Sequence, residues 1–310
     1  MTLPASLEGR LSLPLIGSPM FIISQPALVM AQCRAGIVGA FPSLNARPSG
    51  MFEQWLQLLQ TELTDKDAPF AVNLIVHRSN PRLDEDLALC VKYQVPIIIT
   101  SLGAQERVNE AVHSYGGIVL HDVINNVFAR KAIEKGADGL IAVAAGAGGH
   151  AGTLSPFALV QEIRSWFDGP LALSGSIATG RAIAAARMMG ADLAYAGSPF
   201  IATSEANAED GYKQMIVDSG AGDIVYSDVF TGVHGNYLRP SIVAAGLDPD
   251  NLGKAAAMDF ASATGGEAKA WRDVWGCGQG IGAIAKVQSA GDYIAQLKAE
   301  YQAAIAGFKA

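Results

Sequence analysis

The fold class this sequence predicts is a (β/α)8 barrel with a small helical insertion after the eighth strand. Two observations predict it. Eight short apolar runs recur at 13–21, 36–41, 70–77, 96–102, 117–123, 137–145, 170–176 and 191–197. They are continuous rather than alternating, as in parallel strands covered on both faces. Helical patterns separate them, in units of roughly 20–25 residues, which suits a barrel better than a doubly wound sheet.

Each helical stretch has its own signal. Residues 49–62 carry Met51, Trp55, Leu58, Leu59 and, just beyond, Leu63 at helical spacing. Stretches 83–93 and 105–115 are amphipathic. Stretch 125–135 stops at Gly136 and 180–189 at Gly190, each a helix-ending glycine. Both stops open a Gly-Ala-Asp connection into a strand. After strand eight the rhythm breaks. Residues 1–204 and 276–310 are read as the barrel with a C-terminal helix, and 205–275 as a helical cap on the substrate side.

Bulk properties narrow the function. Half of the 310 residues are apolar and the net charge is −7, which argues against a nucleic-acid or anionic-membrane partner. Cys33, Cys90 and Cys277 show neither CxxC nor metal spacing and read as buried small hydrophobes. No metal site is expected. Glu8 and Arg10 precede any sustained apolar run, so no signal peptide is expected. No membrane span is expected either, and a cytoplasmic location follows as the default. The oligomeric state is open, with a homodimer admitted.

A barrel places chemistry at the C-terminal strand ends, and that rule sorts the motifs. Gly146-Ala147-Gly148-Gly149-His150-Ala151-Gly152 follows strand six. Its glycines let backbone approach a ligand, and His150 suits proton transfer near neutral pH. The G-x-G-x-x-A spacing is a loose dinucleotide match with no acidic residue at the expected distance. Ser174-Gly175-Ser176 ends strand seven and leads into a helix at Gly180, whose amides suit phosphate. Gly197-Ser198-Pro199 ends strand eight. Loops seven and eight together form the recurrent barrel phosphate site. Pro19, Met20 and Phe21 end strand one and suit a flat ring, and Asn73 offers an amide. His121 and Asp122 end strand five as a polar anchor.

These residues resemble the nitronate monooxygenase family. The resemblance runs through Pro19-Met20, Phe70 to Leu74, Gly149 to Gly152, Ser174 to Arg181, Gly190 to Phe200 and the segment from Trp275 to Gly280. It implies an FMN-dependent barrel, related to flavin-dependent enoyl-acyl carrier protein reductases. It implies that His150 is a catalytic base. Pro19, Met20, Phe21 and Asn73 would lie near the flavin ring and ribityl chain. Gly148, Gly149, Ser174, Gly175, Ser176, Gly197 and Ser198 would lie in its loops, with Gln279 in a closing segment. The implied reaction converts alkyl nitronates and O2 to carbonyl compounds and nitrite. NAD(P)H-dependent reduction of quinones or enoyl thioesters is the alternative. Three positions depart from the family pattern. Asp122 stands where many members carry Lys, Ser176 stands for a frequent Gly, and Thr231 to His234 replaces a segment that often carries arginine.

Overall fold

The computed structural model describes residues 7–48, 50–253 and 273–308. Eight parallel strands form one sheet: β1 (Leu15–Gly17), β2 (Gly39–Pro42), β3 (Phe70–Ile75), β4 (Ile97–Ser101), β5 (Ile118–Val123), β6 (Gly139–Val143), β8 (Leu171–Ser174) and β9 (Leu193–Ala196). Every expected run holds one of them. Their order is β1-β9-β8-β6-β5-β4-β3-β2. Gly17 N donates to Val38 O at 2.7 Å and Val38 N to Leu15 O at 3.1 Å, which joins the two edges into a barrel.

Strand pleat decides what each side chain faces. Ile97, Ile99, Leu120, Ile141 and Leu193 pack inside the barrel with Ile16 and Val38. Val72 and Ile98 face helices on one side, and Leu140 and Leu173 face helices on the other. The interior is filled with apolar side chains, so space for a ligand lies at the mouth.

The two Gly-Ala-Asp segments perform the same structural task. Gly136 (φ +89) and Gly190 (φ +111) end their helices in conformations that favour glycine. Asp138 Oδ2 then accepts from Val119 N at 2.7 Å, and Asp192 Oδ2 from Leu171 N at 3.0 Å. Each carboxylate thus pins the start of the neighbouring strand. Helix Met51–Glu62 buries Phe52, Leu56 and Leu59, spaced four and three apart. Met51, Trp55 and Leu63 flank that stripe, whereas Leu58, expected on it, is exposed.

The expected helical cap contributes helices Asp210–Asp218 and Arg239–Ala244. It also contributes strands that its sequence did not announce. β10 (Ile224–Ser227) pairs with β11 (Gly235–Leu238), which pairs with β7 (Gly149–His150), all antiparallel. Residues 254–272 of the expected cap lie outside the described residues. The C-terminal helix Ala290–Phe308 packs along helix Gly180–Met188. A Cβ on Gly180 would strike Leu297 O and Tyr301 N, so a glycine permits this close approach. Among the described residues no helix is long and apolar enough to cross a membrane.

Candidate active site

A cavity of about 400 Å³ opens at the C-terminal ends of the strands. That size lies within the range of small-molecule sites. It brings together Pro19, Met20, Phe21, Asn73, Asp122, Gly148, Gly149, His150, Ser174, Gly197 and Ser198. Most of the residues expected to act together therefore line one space. A smaller hollow adjoins it, sharing Gly148, Ser174, Gly197 and Ser198 and adding Gly146, Gly175, Ser176, Gly278 and Gly280.

The hollow is shaped by backbone contacts. Gly146 O accepts from Ser176 N at 3.2 Å and from Gln279 N at 2.9 Å, tying the loop after β6 to the loop after β8 and to segment 275–280. Ser198 Oγ accepts from Gly278 N at 2.7 Å. Gly175 takes φ +134, and a Cβ there would lie 2.8 Å from Ala145 O. The helix that follows is already capped: Thr179 Oγ1 accepts from Ala182 N at 3.1 Å, and Glu300 Oε2 from Gly180 N at 2.8 Å. This corrects the expectation that the helix N-terminus supplies the anion site. The hollow is lined instead by the loops, the ends of β8 and β9, and Ser198 and Pro199 at the start of the short helix Ser198–Ile201.

Ser176 adopts φ +57, a left-handed conformation that costs a residue with a Cβ about 1 kcal/mol. Ser176→Gly is expected to raise folding stability by about that amount. Thermal unfolding of the variant measures this.

His150 sits on β7, held by β11 of the added sheet. Gly235, opposite it, allows the approach, because a Cβ there would lie 2.8 Å from Gly149 O. His150 Nε2 is 2.9 Å from Thr231 Oγ1. Thr231 Oγ1 also lies 3.0 Å from Val233 O. Thr231 thus holds the ring through Nε2, and which atom donates depends on the tautomer. Burial pulls the His150 pKa down from the ordinary imidazole value to about 4, so the ring is neutral at neutral pH.

Asp122 ends β5 and faces the cavity. Its Oδ2 lies 2.5 Å from Ser101 Oγ, while its Oδ1 is buried with no hydrogen-bond partner. Burial pushes its pKa up to about 7, offset in part by the Ser101 hydrogen bond. Asn73 Nδ2 donates to Ser101 Oγ at 2.8 Å and to Ile99 O at 3.1 Å.

Two expected residues line neither the cavity nor the hollow. His121 has the opposite pleat to Leu120 and Asp122, so it points behind the sheet, where Nδ1 lies 2.6 Å from Thr100 Oγ1. Gln279 is exposed and acts through its backbone amide on Gly146. Other lining residues have no motif of their own in the sequence: Ser101, Tyr195 and, at the mouth, Arg47 with its guanidinium 5.4 Å from the Phe21 ring centroid. Thr231, behind His150, was noted only as a departure in a segment.

A family profile described as nitronate monooxygenase matches residues 79–300, well over half of the chain. The chain belongs to the nitronate monooxygenase family. Membership places it among FMN-dependent oxidoreductases. It is 26% identical to a nitronate monooxygenase of Paraburkholderia phytofirmans, with 94% of this chain and 93% of that protein covered. It is 23% identical to a (3aS,4S,5R,7aS)-5-hydroxy-7a-methyl-1-oxo-octahydro-1H-indene-4-carboxyl-CoA dehydrogenase of Mycobacterium tuberculosis, covering 74% of this chain and 64% of that one. In fold it is similar to FabK from Thermotoga maritima, at a TM-score of 0.82 and 24% identity, with 99% of each chain covered. It is also similar in fold to a nitroalkane oxidase from Streptomyces ansochromogenes, at a TM-score of 0.79 and 24% identity, covering 98% of this chain and 100% of that one.

Proposed function

We propose that this chain binds FMN and oxidises alkyl nitronates with O2 to carbonyl compounds and nitrite. The observation that carries the reading is a half-buried, neutral histidine in the wall of a cavity that adjoins a glycine-lined hollow. The donor set fits FMN. A hollow whose glycines let the surrounding segments close on one another without a Cβ in the way suits a phosphate, with Ser174, Ser176 and Ser198 supplying hydroxyls. Pro19, Met20 and Phe21 suit a flat ring, and the polar group of Asn73, Ser101 and Asp122 suits its polar edge.

When bound, FMN would supply the electron path between the nitronate and O2. The protein's residues do the rest. Met20 and the glycine loops hold the reactants together, and apolar Ile23, Ile124 and Phe128 limit water. For a neutral nitroalkane, His150 would take the α-proton, and Thr231 would hold the ring in place through its contact with Nε2. Thr231→Val is expected to lower nitroalkane turnover about tenfold, the worth of one hydrogen bond, with nitronate turnover nearly unchanged. Steady-state rates on the two substrate forms measure this.

A second reading has one observation in its favour. The cavity wall is largely apolar, through Leu44, Ile75, Leu102, Ile124, Phe128 and Val233, with Arg47 at the mouth. That lining also suits an acyl thioester or quinone reduced at the expense of NAD(P)H. Anaerobic mixing of the FMN-loaded protein with NADH or NADPH separates the two. The oxygenase reading predicts that the flavin absorbance persists, whereas rapid bleaching favours the reductase. A protein that stays colourless after FMN is added contradicts both.

A further inference from the structure

We propose that Asn73, Ser101 and Asp122 form a proton-gated hydrogen-bond site on the cavity floor, in which the protonation of Asp122 decides which way the Ser101 hydroxyl points. The ligand class is set by that direction. With Asp122 protonated, the floor donates to an acceptor atom of the bound molecule, such as a carbonyl, ring nitrogen or oxyanion. With Asp122 ionised, the floor offers only lone pairs and negative charge.

Both amide protons of Asn73 are engaged, one on Ile99 O and one on Ser101 Oγ. Ser101 therefore has one proton to place and one further lone pair. Ser101 and Asp122 share a contact of 2.5 Å. If Asp122 is ionised, Ser101 must donate into it. If Asp122 is protonated, the proton belongs on Oδ2, because Oδ1 is buried and has no acceptor to meet. Oδ2 then donates to Ser101, which becomes saturated as an acceptor and turns its own proton toward the cavity it lines.

The surroundings favour the neutral acid in the empty protein. A buried anionic oxygen with no donor is costly, and an unpartnered carbonyl-type oxygen much less so. Tyr195, on β9, is held protonated by burial and by Asp122. His150 lines the same cavity and is neutral. His121, the next residue on β5, points to the other face of the sheet. Arg47 lies at the mouth and is exposed, so solvent screens it. Burial accordingly moves the carboxyl toward neutral pH, where the gate can switch.

The test has two arms. The first uses the protein without any ligand. Infrared spectra of wild type minus Asp122→Asn are recorded between about pH 5 and about pH 9, a window far above the ordinary aspartate range. Subtraction separates Asp122 from Asp86, the other buried carboxyl shifted upward among the described residues. Asp122→Ser supplies the same subtraction if the amide variant does not accumulate. A protonated-carboxyl band that fades across this window is expected, and an ionised Asp122 throughout overturns the proposal.

The second arm rests on the FMN reading and uses FMN as the probe, followed by fluorescence quenching. Wild type is expected to bind at least about tenfold tighter at the acidic end, one hydrogen bond's worth. Asp122→Asn, whose amide donates permanently to Ser101, should stay tight across the range. Ser101→Ala should stay weak. Ratios to Asp122→Asn cancel the titration of the FMN phosphate itself. Wild type and Asp122→Asn following one pH profile overturns the gate. No FMN binding at any pH contradicts the cofactor reading instead, and the infrared arm still decides the gate.

Discussion

Replacing His150 by Asn is expected to lower turnover of neutral nitroalkanes by roughly 10²- to 10⁴-fold, the usual worth of a positioned base. Turnover of the preformed nitronate should fall far less, because its α-proton is already gone. The pH dependence follows from burial. The neutral imidazole is the active form, and its folded-state pKa is held down to about 4. Activity is therefore present above that value and lost as pH falls through it, and a limb near the ordinary imidazole pKa is absent. The profile is best read in Asp122→Asn, where the other titrating group of the cavity is removed. Equal losses on nitroalkane and nitronate would remove the general-base role of His150.

Replacing Gly278 by Ala is expected to weaken FMN binding roughly 10- to 100-fold. A Cβ there would lie 2.5 Å from Gly146 O and 2.9 Å from Gly148 N. Both are backbone atoms and cannot swing aside as a side chain would. Gly148 meets the same obstacle from the other side, 2.7 Å from Gly278 N, and a Cβ on Gly280 would lie 2.9 Å from Ser176 C and O. Segment 275–280 thus closes on the loops backbone against backbone. Overpacking of this kind costs roughly 1–3 kcal/mol, taken here from the shape of the hollow. Gly222→Ala, with nothing within 4 Å of its Cβ, is the control and should bind FMN as wild type does. Equal affinity in the two variants would show that the hollow does not hold the phosphate.

The barrel was legible because buried parallel strands leave long apolar runs that do not depend on distant residues. Facing was harder to read. Residues 118–123 are apolar on both sides of the sheet, so nothing in the run told that Asp122 looks into the mouth and His121 away from it. The same pleat carries a usable signal on β4. Ile97 and Ile99 point inward, so Ser101 must as well, and Asn73 shares that side of β3. The sheet around His150 had no local signature. β7 is two residues long, and its partners in β11 lie more than eighty positions away. Thr231 reaches His150 only because that pairing forms. The loops after β8 and β9 meet at one hollow, but the helix start behind Ser174–Ser176 is occupied by Glu300, a residue of the C-terminal helix that no spacing rule connects to it.

Oxygen uptake and nitrite release by the FMN-loaded protein, given a preformed alkyl nitronate in air, test the central claim most directly. Both are expected to proceed without NAD(P)H, with nitrite and the carbonyl product forming together. Bound flavin with neither oxygen uptake nor nitrite release would contradict that claim.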